Sequence, residues 1–128
     1  MNEFRAAAET KDLERMLGLM TDDVVFRSPV VYKPYRGKEA VGALLRAVMR
    51  VFEDFRYDRE IGDDGDRDRA LVFRARIGDR ELEGCDFLHF DENGLIDEFF
   101  VMIRPLSGAL ALAEAMKREL ETATAIET

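Results

Sequence analysis

The chain has 128 residues, too few for two ordinary domains and enough for one with a real core. Its formal net charge of −8 and isoelectric point near 4.7 argue against a nucleic-acid backbone or an anionic bilayer as partner, since both require a positive footprint. One cysteine (Cys85) and one histidine (His89) rule out an intramolecular disulfide and leave no zinc-ligand spacing, so no metal is expected.

In chain order, residues 1–20 read as one broken or two consecutive helices, with Leu13, Met16, Leu17 and Met20 at helical spacing and Thr10 as N-cap. The start, MNEFRAAAETKDLERM, lacks the basic and apolar regions of a secretory signal, and no apolar run approaches the ~20 residues needed to cross a bilayer. A cytoplasmic protein without a membrane segment is the expectation. Thr21-Asp22-Asp23 ends the helix, and Val24, Val25 and Phe26 form a short strand that stops at Ser28-Pro29. The next segment, PVVYKPYRG, combines two prolines and two tyrosines, which suits an irregular loop at the rim of a pocket. From Gly37, Val41, Leu44, Leu45, Val48 and Phe52 make one apolar stripe, predicting a helix over 37–53.

Strands fill most of the second half. A strand over 55–61 is followed by the charged turn Gly62 to Asp68, whose aspartates lack the order of a calcium loop. Residues 70–77 and 80–90 are joined by Gly78-Asp79, a favoured hairpin loop. That register sets Arg76 against Glu81, Arg74 against Glu83, Ala75 against Leu82 and Phe73 against Gly84, so charged pairs line one face and small or apolar pairs the other. After Pro105, the residues Leu106, Leu110, Ala113, Met116 and Leu120 predict a last amphipathic helix, and residues 122–128 a frayed polar tail to a single domain over 1–121.

The stretch from Gly84 to Pro105 carries the functional signal. Asp91 to Gly94 supplies a turn between two strands, and alternation puts Gly84, Asp86, Leu88 and Phe90 on one face with Phe99, Val101 and Ile103 of the returning strand. Asp86 is the one carboxylate in that apolar row. Its charge is penalised by several kcal/mol there unless it is paired, protonated or open to a cavity. Two readings stand: an acid/base or ligand-orienting group with a raised pKa, or a structural carboxylate satisfied by Tyr32, Tyr35, Ser28 or an internal water. On the first reading, Asp86→Leu removes a poorly solvated group and stabilises the fold. The opposite face carries Phe87, His89, Phe100 and Met102, a patch that predicts a homodimer through the outer face of the sheet.

Helices followed by an antiparallel run give an α+β order, a cone-shaped curved antiparallel sheet wrapped around the N-terminal and central helices, with a C-terminal helix. The motifs TDDVVFRSP, PYRG and EGCDFLHFDENGLIDEFFVMIRP in this order resemble the nuclear transport factor 2-like superfamily and, within it, the SnoaL-like group that also holds ketosteroid isomerases and polyketide cyclases. The resemblance covers nearly the whole chain. It implies a small hydrophobic ligand in the open end of the cone, no organic cofactor, and dimerisation through the convex face. Asp86 falls where the isomerases keep an aspartic acid neutral so that it donates to an oxyanion. Their general base stands just before a proline, where this chain has Ser28, and their oxyanion tyrosine lies in the first helix, where this chain has Phe4. Ketosteroid isomerisation is therefore not expected. The expectation is a protein that binds a small hydrophobic molecule through Phe26, Ser28, Tyr32, Tyr35, Phe73, Leu88, Phe99 and Val101, with Asp86 as acid/base for proton transfer on a small carbonyl compound. The alternative is a noncatalytic ligand-binding or protein-interaction dimer module.

Overall fold

The computed structural model describes residues 2–127. Helices α1 (Asn2–Glu9) and α2 (Leu13–Gly18) lead into strand β1 (Met20–Arg27) and the two-residue β2 (Tyr35–Arg36). Helix α3 (Lys38–Val51) precedes four strands, β3 (Glu53–Ile61), β4 (Asp68–Ile77), β5 (Arg80–Phe90) and β6 (Ile96–Arg104), and α4 (Leu106–Glu127) ends the chain. The segment expected as a tail continues α4 as far as Glu127; the side chains of residues 122–127, and Thr128, lie outside the described residues.

The break after α1 falls at Lys11, whose φ of 57° lies in the left-handed region and cannot continue a helix. Asp12, and not Thr10, caps α2, its carboxylate accepting from the Arg15 N–H at 3.1 Å. The Thr10 hydroxyl instead donates to the Ala6 carbonyl at the end of α1, at 2.7 Å. Met20, read as helical, begins β1 beside Ile96.

The sheet has six strands in the order β2-β1-β6-β5-β4-β3. The β3 to β6 run is antiparallel as the alternation implied, and the β4–β5 register pairs Arg76 with Glu81, Arg74 with Glu83 and Phe73 with Gly84. The sheet is nevertheless mixed, because β1 lies parallel to β6. The chain enters β1 from α2 and reaches β6 only after the rest of the sheet, so no tight turn links the two and antiparallel pairing is not imposed. Register shifts in β1, β3 and at His89/Phe90 bend the strands. Helices α1, α3 and α4 fill the concave face: Phe4 meets Phe99 edge-on at 5.4 Å, and Val41, Leu44, Leu45 and Ala47 of α3 are buried. On α4 the inward stripe is Gly108, Leu112 and Met116, whereas Leu106, Leu110 and Leu120 of the expected stripe are exposed. Gly108 sets that rotation, since a Cβ there would come within 2.7 Å of the Leu82 Cβ, so the helix backbone packs directly on β5. No helix among the described residues is long and apolar enough to cross a membrane.

Candidate functional site

Asp86 sits mid-strand in β5, flanked by Leu71 of β4 and Val101 of β6. Its side chain points into the concave side at 4% exposure, the one buried acid or base among the described residues. Its partner is Tyr57, whose hydroxyl donates to Asp86 Oδ2 at 2.6 Å. None of the three partners read from the sequence fills that role. Tyr32 is fully exposed, in the irregular segment between β1 and β2. The Ser28 hydroxyl is taken up locally, accepting from the Val30 N–H at 3.1 Å. Tyr35 belongs to β2 and faces a neighbouring groove with Ser28.

Tyr57 is placed by two elements. It is an inward residue of β3, where Phe55 and Tyr57 alternate with the exposed Asp54, Arg56 and Asp58. Strand β3 is an edge, and its free backbone groups at Tyr57 are covered by α1: Arg5 Nη2 donates to the Tyr57 carbonyl at 2.9 Å, and the Tyr57 N–H donates to Glu9 at 3.2 Å. Phe55 and Phe73 stand edge-on to the Tyr57 ring at 5.0 and 6.3 Å. The phenol thus has little freedom but to point at Asp86.

Burial raises the Asp86 carboxyl from its ordinary 3.8 to about 7, against the opposing pull of the Tyr57 hydrogen bond. Burial, and then the charge of Asp86, push the Tyr57 phenol well above 10.0. Both groups are therefore most stable uncharged. Near neutral pH the carboxyl is divided between acid and carboxylate, while the tyrosine stays a donor. Oδ1 receives no hydrogen bond from any described residue, and Asp86 lines a cavity of about 80 Å³. Phe26, Phe52, Phe73, Phe99 and Val101 belong to its apolar wall; Asp86, Tyr57 and Lys11 are the polar members. Phe26, Phe73, Phe99 and Val101 thus come together around Asp86 as the pattern implied, while Leu88 is core that does not reach the cavity, and Ser28 and Tyr35 line only the adjoining groove.

The sequence reading missed Tyr57 and Lys11. Tyr57 lies 29 residues from Asp86 and sits in a strand that reads as mostly solvated. The available signal was that Phe55 and Tyr57 are the two aromatics on one face of that strand. Phe4, which the resemblance sets against the isomerases' tyrosine, is buried against Phe99 and takes no part in the polar site. His89 lies on the convex face, its Nδ1 2.6 Å from Asp97, and that pair raises its pKa. Arg104 pairs with Glu83 on the same face, and burial raises the Cys85 thiol, leaving it unreactive as a thiolate.

The family model described as a SnoaL-like domain matches residues 1–99, most of the scaffold that carries this cavity. The chain belongs to the SnoaL-like family. This SnoaL-like domain is 43% identical to a steroid delta-isomerase from Pseudomonas aeruginosa, with a TM-score of 0.91 over 97% of this chain and 90% of that one. It is 33% identical to an uncharacterised cystatin-like-fold protein conserved in bacteria, from Silicibacter pomeroyi DSS-3, with a TM-score of 0.89 over 94% of this chain and 84% of that one. At 16% identity it shares the fold of SalBIII, an epoxide hydrolase/cyclase-like enzyme of pyran-ring formation in salinomycin, with a TM-score of 0.65 over 80% of this chain and 86% of that one. No curated protein sequence matches the chain.

Proposed function

We propose that this SnoaL-like domain binds a small carbonyl compound in its apolar cavity and moves a proton on it through Asp86, without a cofactor. The observation that carries the reading is the Tyr57–Asp86 hydrogen bond inside an apolar cavity, with Oδ1 left for a ligand. A carboxyl poised near neutrality serves in both directions. As carboxylate it takes a proton from the carbon beside the carbonyl, and the C–H electron pair enters the enolate. As acid it returns that proton to carbon, at the same position or another. Tyr57 holds the carboxylate in place through each half of the cycle and, with its own pKa raised, keeps its proton. The likeness to a steroid delta-isomerase supports proton transfer as the reaction class. Ser28, bonded to its own turn and outside the cavity, leaves Asp86 as the sole carboxylate for the task. The cavity, about 80 Å³ against the ~300 Å³ or more of sites for drug-sized ligands, supports a substrate smaller than a steroid.

The test is hydrogen–deuterium exchange beside the carbonyl of a small aryl ketone in deuterated water, followed by NMR. Exchange should be accelerated by the wild type and return to the uncatalysed rate with Asp86→Asn, which keeps the acceptor for Tyr57 and cannot hold the proton. Equal exchange with both proteins would remove Asp86 as the proton carrier.

A second reading, a dimer module, is favoured by the convex face. Phe87 and Met102 are 40% and 53% exposed, and Phe87 packs against Phe100 at 5.7 Å between ring centres. Ion pairs of Arg74 with Asp58, Arg76 with Asp54 and Arg104 with Glu83 lie beside this patch and form a polar rim suited to a second copy. Sedimentation should give a particle of twice 14.7 kDa, reduced to the single mass by Phe87→Glu. A wild type that sediments as a monomer at micromolar concentration ends this reading.

A further inference from the structure

We propose that the ligand of the cavity is an anion with an apolar body, its carboxylate held at the mouth by Lys11 and its carbonyl at the buried end by Asp86. The inference rests on the cavity reading above and adds the chemical class of the ligand. Asp86 and Tyr57 are buried members of the lining, whereas Lys11 is an exposed one, which puts the ammonium on the solvent side of the cavity and the polar pair on its buried side. Between them the wall is apolar, with no further charged side chain. A ligand filling this space meets one cation on the solvent side and one hydrogen-bonding pair on the buried side.

Lys11 is held at that place. It forms the corner between α1 and α2 at a φ of 57°, its N–H donates to the Ala8 carbonyl at 3.1 Å, and the next N–H, of Asp12, donates to Ala7 at 2.8 Å. Ala8 and Met16, one on each helix, line the same cavity. The ammonium makes no ion pair with a described residue, a state it shares with other surface cations such as Lys33 and Arg46; what sets it apart is its place in the cavity lining. A cation in the lining of an apolar cavity, engaged in no ion pair with a described residue, is set to recognise a charge that arrives with the ligand. Asp86 does not oppose it. A carboxyl largely neutral below pH 7 presents little repulsion to an entering anion. The competing explanation, that Lys11 merely lays its aliphatic stem along the rim, gives a different result in the experiment below.

Two probes share one aryl ketone and differ in charge: benzoylpropanoate, which carries a carboxylate, and butyrophenone, which does not. Their affinities for the full chain are measured by calorimetry at low ionic strength and again with added salt. The wild type should bind the acid about fivefold more tightly, the scale of a partly solvated ion pair, and salt should erode that advantage. In Lys11→Met the ratio of the two affinities should fall to about one, and in Lys11→Arg it should persist, because the first variant keeps the stem and the second keeps the charge. Equal binding of the two probes by the wild type, or a preference that survives in Lys11→Met, overturns the proposal while leaving the cavity reading intact. Binding of neither probe by the wild type overturns both. The comparison within the wild type decides the matter even where a variant folds poorly.

Discussion

Replacing Asp86 by Asn should make the protein more stable above about pH 8 and less stable below about pH 4, the sign of the change reversing between. The carboxyl titrates near its ordinary 3.8 when unfolded and at about 7 when folded. Between those values the folded state binds the proton more tightly. The stability associated with the protonated acid is therefore fully present below the unfolded pKa, falls as pH rises through the window, and is lost above the folded pKa. A gap of about three units, at about 1.4 kcal/mol each, makes the alkaline penalty roughly 4 kcal/mol. Asn has no charge to bury and still accepts from the Tyr57 hydroxyl, but its amide protons lack a partner, which costs about 1–3 kcal/mol at any pH. The first effect wins in alkali and the second in acid. Asp86→Leu also removes the pH dependence but strands the hydroxyl of the buried Tyr57, so the stabilisation that the alternation alone implies is offset by about 1–3 kcal/mol. The His89–Asp97 pair titrates with the same sign, since its raised pKa gives stability that is lost as pH rises, but it is more than a third exposed and its share is small. It is common to wild type and variant, so the difference between their denaturation midpoints across pH isolates Asp86. A difference that does not change with pH would mean that the folded carboxyl titrates as it does in the unfolded chain and is not poised for proton transfer.

What could be read in advance divides along the range of the interactions. The β4–β5 and β5–β6 hairpins were legible because Gly78-Asp79 and Asp91 to Gly94 fix the registers locally, and the alternation of Gly84, Asp86, Leu88 and Phe90 then fixes the buried face. The burial and raised pKa of Asp86 follow from that alternation. Its partner does not. Whether Tyr57, Tyr35 or Tyr32 reaches the carboxyl depends on how far β3 lies from β5 and on the course of the segment between β1 and β2, and neither has a local code. The parallel pairing of β1 with β6 was illegible for the same reason, since no tight turn joins them. The rotation of α4 was misread because the larger leucines suggested one stripe, while Gly108 allows a closer approach along another. Lys11 was hidden differently: a lysine in an acidic, polar corner reads as solvated until the cavity beneath it is known.

Gly84→Ala should be the most damaging single-methyl change in the sheet and should disturb the site from two residues away. Gly84 stands opposite Phe73 in the register, and the Phe73 ring lies over it. A Cβ at that position would come to 2.4 Å from Phe73 Cζ and 2.7 Å from the Met102 carbonyl oxygen. The ring cannot swing away freely, because it is 1% exposed and packed against Phe52, Phe55 and Tyr57 at 5.8, 5.0 and 6.3 Å between ring centres. The carbonyl cannot retreat without loosening the β5–β6 ladder next to Asp86. Alanine suits a strand better than glycine by roughly 0.5–1 kcal/mol, while overpacking a filled core costs about 1–3 kcal/mol. With one of the two clashes against backbone, the upper part of that range applies, and a net loss of about 2 kcal/mol is expected. Displacing Phe73 also shifts a cavity wall and the edge-on contact that steadies Tyr57, so binding of butyrophenone should weaken along with stability. Combining the change with Phe73→Leu separates the causes, since a smaller opposite side chain should make the two losses less than additive. Denaturant midpoints of the two single variants and the double variant measure this coupling. A Gly84→Ala protein as stable as the wild type would mean that β5 yields at this point, and that the apolar wall beside Asp86 is not held by the packing of Phe73 on Gly84.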